Sequence, residues 1–329
     1  MGYHPEMHRS MTQSTHHDMK LAIKAKAKEL DFDACGMARV KPVDSEAVAR
    51  YEKWIAEGKN GCMEWTKNYP DIRENPGLLL EGAKTVIVVA LNYYPSTFQS
   101  DDAAQFAYYA YGRDYHEVLK DRMRKLAAFI KEATGMESRC CVDSAPIRER
   151  YWAQQAGVGF IGLNNALILP GKGSFYFLGV LVTQLDMEPD EPCTLTCGNC
   201  HACERACPSH ALCGGEPVDA RKCLSCLTIE CHDELPEWVG KVIGKRVYGC
   251  DECQKCCPHN RHAKGNTIAE FQPKDALLHL TAEEIVSMEQ ADFSRLFNHS
   301  AVKRGKLAGL QRNARLILKN SELLPPDKD

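Results

Sequence analysis

The chain has 329 residues, 44% of them hydrophobic and 26% charged, which suits one large globular domain or two to three smaller ones. No apolar run reaches the roughly 18 residues a membrane helix needs. A net charge of −3 excludes a generally basic nucleic-acid binder, and the composition excludes collagen-like, disordered and coiled-coil chains.

In chain order, Met1 to His17 is polar and carries neither the apolar stretch nor the twin arginine of an export signal. The expected location is cytoplasmic. Residues 1–17, with His4, His8, His16 and His17, read as a disordered tail rather than a metal tract. A mixed α/β domain is expected over 18–188. Leu21 to Leu30 is a helix candidate, and Thr85 to Leu91 is a continuous β-branched run that reads as a buried strand. Tyr115 to Thr134 reads as a helix ended by Gly135, and Cys140 to Val142 as a short strand. Ile147 to Ala156 reads as a helix ended by Gly157, and Phe175 to Thr183 as a second buried strand. Strands alternating with helices argue for an α/β domain. Residues 189–262 are rich in Cys, Pro and Gly, with little apolar periodicity, and are expected to need metal to fold. Residues 263–329 read as helical, with Thr281 and Glu284 placed for a capping box.

Seventeen cysteines are the outlier, and thirteen of them lie between Cys193 and Cys257. A reducing compartment favours metal binding over disulfides. Cys197, Cys200, Cys203 and Cys207, followed by Pro208, have the C-x2-C-x2-C-x3-C-P spacing of bacterial ferredoxins. In that pattern three thiolates hold one iron–sulfur cube and the fourth reaches to another. A zinc site of four cysteines usually uses two C-x2-C knuckles without the final Cys-Pro. A second set, Cys250, Cys253, Cys256 and Cys257 with Pro258, implies a second cluster. Cys197, Cys200, Cys203 and Cys257 are assigned to the first [4Fe–4S] cluster, with Cys256 the rival of Cys257. Cys207, Cys223, Cys250 and Cys253 are assigned to the second, with Cys226 the rival of Cys223. The cysteines at 35, 62, 140, 141, 193, 213, 226 and 231 lack ligand spacing and read as small apolar filler. Two clusters imply single-electron traffic, and the roughly 190 preceding residues imply a substrate or cofactor domain.

Three segments of that domain carry chemistry. Gly112 to His116 opens a helix with an acid, a phenol and an imidazole. Asp143 ends a strand just before a helix, where open α/β sheets place ligands, although an aspartate there also suits a helix cap. Gly157 to Asn165 is a glycine-rich loop suited to close backbone approach to a bulky ligand, without the strand–turn–helix setting of a nicotinamide site.

These segments, with Ala90 to Pro95, Leu227 to Glu230, Tyr248 to Asp251, Ser300 to Arg304 and Gly309 to Asn313, resemble the epoxyqueuosine reductase family. The resemblance spans most of the chain in the family's order. It implies a cobalamin-binding α/β domain fused to a two-cluster ferredoxin domain and a short helical C-terminal segment. The implied reaction reduces the epoxide of epoxyqueuosine to the alkene of queuosine at the wobble base of tRNA. Cobalamin would be base-off cob(II)alamin, fed by two [4Fe–4S] clusters. Asp143 matches the family's proton donor, and Tyr115 and His116 match residues of the same pocket. Burial against corrin and base is expected to raise the pKa of Asp143 when the substrate is bound. Cobalamin contacts are expected from Asp143, Gly159, Ile161, Gly162, Asn164 and Ser225. The acid-free stretch 300–319 reads as a basic helix, with Lys303, Arg304, Lys306 and Arg312 expected at the tRNA. The remaining partner is a low-potential electron donor, and the chain is expected to be a monomer away from membranes. The sequence departs from the family's usual residues at Cys226, Cys256 and His259, and none of these departures removes an expected cluster ligand. The Asp-x-His-x-x-Gly cobalamin signature is absent, which agrees with a cofactor lacking a histidine ligand. The alternatives are a dehalogenase-like cobalamin reductase of a small molecule, opposed by the absent export signal and the basic C-terminal stretch, and a plain electron-transfer ferredoxin, opposed by Asp143, Tyr115 and the glycine loop.

Overall fold

The computed structural model describes residues 13–323, and side chains from 17 to 320. Helix α1 (Gln13–Glu29) leads into strand β1 (Ala34–Arg39), then α2 (Ser45–Ala56) and α3 (Pro70–Glu74). His16 and His17 therefore lie within a helix rather than a tail; His4 and His8 fall outside the described residues. Strand β2 (Thr85–Asn92) is followed by β3 (Gln105–Phe106), α4 (Tyr115–Thr134) and β4 (Ser138–Cys141). Then come α5 (Glu149–Gln155), β5 (Phe160–Ile161), β6 (Leu167–Ile168) and β7 (Tyr176–Thr183). Helix α4 has the limits its sequence predicts. Asp114 caps its first turn through the His116 N–H, and Gly135 at φ 73° closes it in the left-handed conformation a Cβ would disfavour.

The main sheet has the order β1-β2-β7-β4, and every pair in it is antiparallel. The expected mixed fold, α/β or α+β, is there, and the antiparallel sheet makes it α+β. Strand direction is not legible in the unbroken apolar run of β2, because covering both faces writes that run for parallel and antiparallel strands alike. Ile87, Val89 and Leu91 pack with Ile23 of α1 and Leu119, Met123 and Leu126 of α4. Val86, Val88 and Ala90 point the other way, onto Trp152 and Ala153 of α5.

The cysteine-rich region carries α6 (Ala202–Ala206), α7 (Leu224–Ile229), α8 (Glu237–Val242), β8 (Arg246–Tyr248) and α9 (Glu252–Lys255). Strand β8 pairs parallel with β3, tying it to the first region. Cys62 and Cys231 form a disulfide across 169 residues, so these two are not filler. Neither has a spacing signature, because only tertiary folding brings them together. The last part contains α10 (Asp275–Leu278), α11 (Ala282–Ser287), α12 (Gln290–Leu296) and α13 (Lys306–Leu323). Thr281 and Glu284 form the predicted capping box of α11. These helices share one core with α7 and β8, through Leu224, Leu227, Val247, Ile285, Phe293 and Leu310. The expected single helix over 300–319 is broken: Ala301–Gly305 is a 3-10 turn, and Lys306 at φ 54° starts α13.

Candidate active site

Asp143 follows β4 on a turn and adopts φ +45°, a left-handed conformation an aspartate tolerates at some cost. It does not cap α5, whose cap position is Arg148. Its carboxylate instead meets the start of α4. His116 Nε2 lies 3.2 Å from Asp143 Oδ2, and His116 Nδ1 lies 2.8 Å from Asp114 Oδ1. Tyr115 donates its hydroxyl to Asp143 and stacks on Phe177, with centroids 4.4 Å apart. The Asp143 side chain is 43% exposed, so it can meet a ligand.

Electrostatics set the protonation states. Burial opposes the charge of His116, but its two carboxylate partners outweigh burial and push it up to about 9. Burial would raise Asp143, yet the bonds from His116 and Tyr115 hold its carboxyl below the usual carboxylate range. Without a covering ligand, then, the proton rests on His116. Burial and then Asp143 keep the Tyr115 phenol neutral. Glu149, which the sequence reading missed, and Asp114, the acid of the 112–116 segment, complete the cluster. Glu149, on the first turn of α5, accepts a 2.6 Å hydrogen bond from the Asp143 backbone N–H, and burial and then the Asp143 charge raise its pKa to about 8. Asp114 orients the imidazole. Both look in sequence like ordinary acids at helix starts.

The glycine-rich loop lies beside the cysteines. Leu163, Asn164, Ile168, Cys197, Cys200, Cys203 and Cys257 line one cavity. Leu163 N–H points at Cys197 Sγ, 3.4 Å away, and Asn164 Nδ2 donates to Cys253 O at 3.2 Å. The loop glycines are required by the protein's own packing. A Cβ at Gly159 would come 2.4 Å from Ile168 O, and one at Gly162 would come 2.6 Å from Ile168 Cδ1. Ile161 is 38% exposed, and Ser225 is half-buried on α7. Of the four cysteines expected at the second cluster, Cys223 lies near Cys207, and Cys253 lies near Cys250 and Cys223 but also near Cys203. Cys256 lies on the side of Cys257 and Cys200 but does not line the cavity, and Cys226 faces Cys223.

The expected basic surface is only partly free. Lys303 and Lys306 are exposed. Arg304 grips Glu230 with both arms, at 2.6 and 2.8 Å, and lowers the Asp143 pKa by its charge. Arg312 is consumed inside the protein, donating to the carbonyls of Leu227, Cys231 and Asp233. A guanidinium so engaged has little left for phosphate, and this corrects its expected role.

Comparison with known proteins decides what the site belongs to. Residues 73–144 match the family described as "Epoxyqueuosine reductase QueG, DUF1730", and residues 196–260 match "4Fe-4S double cluster binding domain". The chain is 41% identical to the epoxyqueuosine reductase of Cellulophaga algicola over 303 residues, covering 92% of this chain and 98% of that one. It belongs to the epoxyqueuosine reductase family. The Gloeobacter violaceus epoxyqueuosine reductase is 40% identical, with 90% and 94% covered. Among solved epoxyqueuosine reductases, one with an epoxyqueuosine-modified tRNA-Tyr stem loop superposes with a TM-score of 0.86 at 28% identity, over 92% of this chain and 82% of that one. The Streptococcus thermophilus epoxyqueuosine reductase gives 0.84 at 30% identity and the same coverage. Among the described residues, no helix is long and apolar enough to cross a membrane.

Proposed function

We propose that this chain is an oxidoreductase that reduces epoxyqueuosine to queuosine in tRNA, in the cytoplasm. The observation that carries this reading is family membership along nearly the whole chain, together with an acid–imidazole–phenol cluster at Asp143. Conversion of an epoxide to an alkene consumes two electrons and two protons and releases water. The double-cluster match supports two [4Fe–4S] clusters as the electron path. The cavity lined by Cys197, Cys200, Cys203 and Cys257 fits the first, and the mutual fields of Cys207, Cys223, Cys250 and Cys253 fit the second. Burial holds Cys203 and Cys250 up to about 11, so cluster assembly must expel their protons.

The residues also fit base-off cobalamin. His116 is engaged at both ring nitrogens and so is not free to ligate cobalt. Ile161, Asn164, Ser225 and the backbone of 157–165 would hold the cofactor, which supplies one-electron chemistry at its metal.

This chain's residues manage the proton. Opening the epoxide puts negative charge on oxygen, and Asp143 Oδ2 is the exposed group placed to protonate it. His116 holds the proton in reserve on Nε2 and passes it to Asp143 as the alkoxide forms. Tyr115 keeps the carboxylate oriented through its O–H. A substrate covering Asp143 removes water and favours the neutral acid, which reverses the preference seen in the open site. Lys303 and Lys306 supply positive charge for tRNA phosphates.

The test is an anaerobic assay with cobalamin, a low-potential reductant and epoxyqueuosine-containing tRNA, read by nucleoside mass spectrometry. Wild type should form queuosine. Asp143→Ala should lose on the order of 100-fold or more in rate, as for removal of a general acid. No conversion by protein with both clusters and cobalamin bound would refute the reading in favour of a small-molecule substrate.

A further inference from the structure

The left-handed turn at Asp143 has a cost, so something must hold it. A non-glycine residue in this region crowds its Cβ against the following carbonyl. His116 and Tyr115 hold the carboxylate, but they act on the far end of the side chain. The backbone is held by Glu149, whose Oε1 accepts from the Asp143 N–H at 2.6 Å. The base of that contact is rigid. Glu149 opens α5, and Trp152 and Ala153 of the same helix are completely buried against the sheet. The neighbouring Arg150 donates to the carbonyl of Asn165, fixing α5 to the glycine-rich loop as well.

We propose that Glu149 is a positioning residue: its carboxyl latches the Asp143 backbone N–H, holds the left-handed turn and so aims the catalytic carboxyl. This rests on the proposed function for its catalytic consequence, but the latch itself does not. Glu149 touches no reacting atom. Its charged neighbours are Asp143, His116 and Arg150, and Asp143 is faced in addition by Tyr115 and Arg304. The contact needs an acceptor oxygen rather than a charge. Glutamine therefore keeps the latch and alanine removes it. A second consequence follows from charge. Ionised Glu149 beside Asp143 makes the acid hold its proton more firmly. Removing that charge moves the alkaline limb of the rate profile to lower pH.

The experiment uses the full chain with both clusters and cobalamin in place, and compares wild type, Glu149→Ala and Glu149→Gln. Amide exchange of the peptide around 140–148 reads the latch directly. It should accelerate in Glu149→Ala and stay close to wild type in Glu149→Gln; equal exchange in all three would overturn the latch whatever the activity. With an epoxyqueuosine stem loop, Glu149→Ala should lower kcat on the order of 100-fold, the scale of an ångström of misplacement, with KM changed by less than about twofold. Glu149→Gln should recover to within about fivefold of wild type, with the alkaline limb shifted down. A wild-type kcat in Glu149→Ala, or a glutamine variant as slow as the alanine one, would refute the assignment. Slowed cobalt reduction in Glu149→Ala, followed by its visible spectrum, would refute it too, since a latch on the acid leaves electron delivery alone. A wild type that converts nothing would sink the function reading, while the exchange comparison still decides the latch.

Discussion

The four-stranded sheet and the cysteine-rich segment are held together in different ways. Strand β2 is closed on both faces, and Val86, Ile87, Val88, Val89, Ala90 and Leu91 are all completely buried. The segment between the cysteine motifs, 224–248, joins the large core of the C-terminal helices, but beside the motifs themselves the apolar groupings are small. One consists of Phe160, Ile168 and Cys257, the other of Trp54, Ala220 and Cys226. Thiols fill places that leucines and valines take in the sheet. One region can fold by burying apolar surface, whereas the other is short of it and must gain its stability from ligation.

The largest effect expected from this contrast is on iron removal. Oxidative loss of the clusters, with a chelator present, should abolish amide-exchange protection across 197–207 and 250–257 and leave β2, β7 and the apolar segment 224–248 protected. Uniform loss in both would show that the sheet depends on the clusters as well. Single substitutions sharpen the same point. Cys207→Ser should halve the iron bound per chain, whereas Cys226→Ser should leave it unchanged, as read by iron analysis. Equal iron in both variants would reassign the ligands.

In the sheet the corresponding change is Trp152→Ala. The side chain is fully buried under Val86 and Val88, so its loss should cost about 3–5 kcal/mol, measured by denaturant unfolding. Iron content should not change, because none of the cysteines expected at the clusters belongs to that core. A loss below about 1 kcal/mol would mean that the face is less closely packed than its burial indicates.

The two regions also differ in how much of them could be read in advance. Strands 85–92 and 176–183, the limits of α4 and the capping box at Thr281 follow from local chemistry: apolar runs, a glycine stop and paired side-chain oxygens. Strand direction did not follow, since covering both faces writes the same apolar run for parallel and antiparallel neighbours. In the cysteine region the C-x2-C-x2-C-x3-C-P spacing is itself the chemistry, so the candidate ligands were legible before any fold. The parts that stayed hidden depend on distant partners. Glu149 looks like any acid on a first helical turn until the Asp143 N–H is placed against it. Arg312 looks like one more cation in a basic stretch until three carbonyls of α7 and its following turn surround it.

Arg312 is the fastening of the C-terminal helix to the cysteine region, and Arg312→Ala tests it. Carbonyls of Leu227, Cys231 and Asp233 would lose a charged donor, at a cost of about 2–3 kcal/mol in unfolding free energy. Affinity for tRNA should fall far less than in Lys303→Ala with Lys306→Ala, as read by binding at low salt. A tRNA-binding loss in Arg312→Ala with unchanged stability would restore it to the nucleic-acid surface.

The smallest expected effect belongs to the catalytic cluster, and its sign is fixed by the direction of one shift. His116 is raised from 6.5 to about 9 in the folded chain, because Asp114 and Asp143 outweigh the burial that opposes its charge. A group with a raised folded pKa adds stability that is fully present below its unfolded pKa and is lost as pH climbs through the folded one. The His116 contribution should therefore be complete below pH 6.5 and gone above about pH 9. Its partner Asp143 is 43% exposed, so solvent screening reduces the contribution to about 1 kcal/mol. Unfolding of wild type and His116→Gln, followed from pH 6 to 9.5, should show a gap that narrows as pH rises. A gap of constant size would mean that His116 stabilises the turn by packing on Tyr115, with centroids 4.2 Å apart, rather than by its charge. The proton reserve for Asp143 would then have to lie elsewhere, and Glu149, raised to about 8, is the neighbouring group able to hold one.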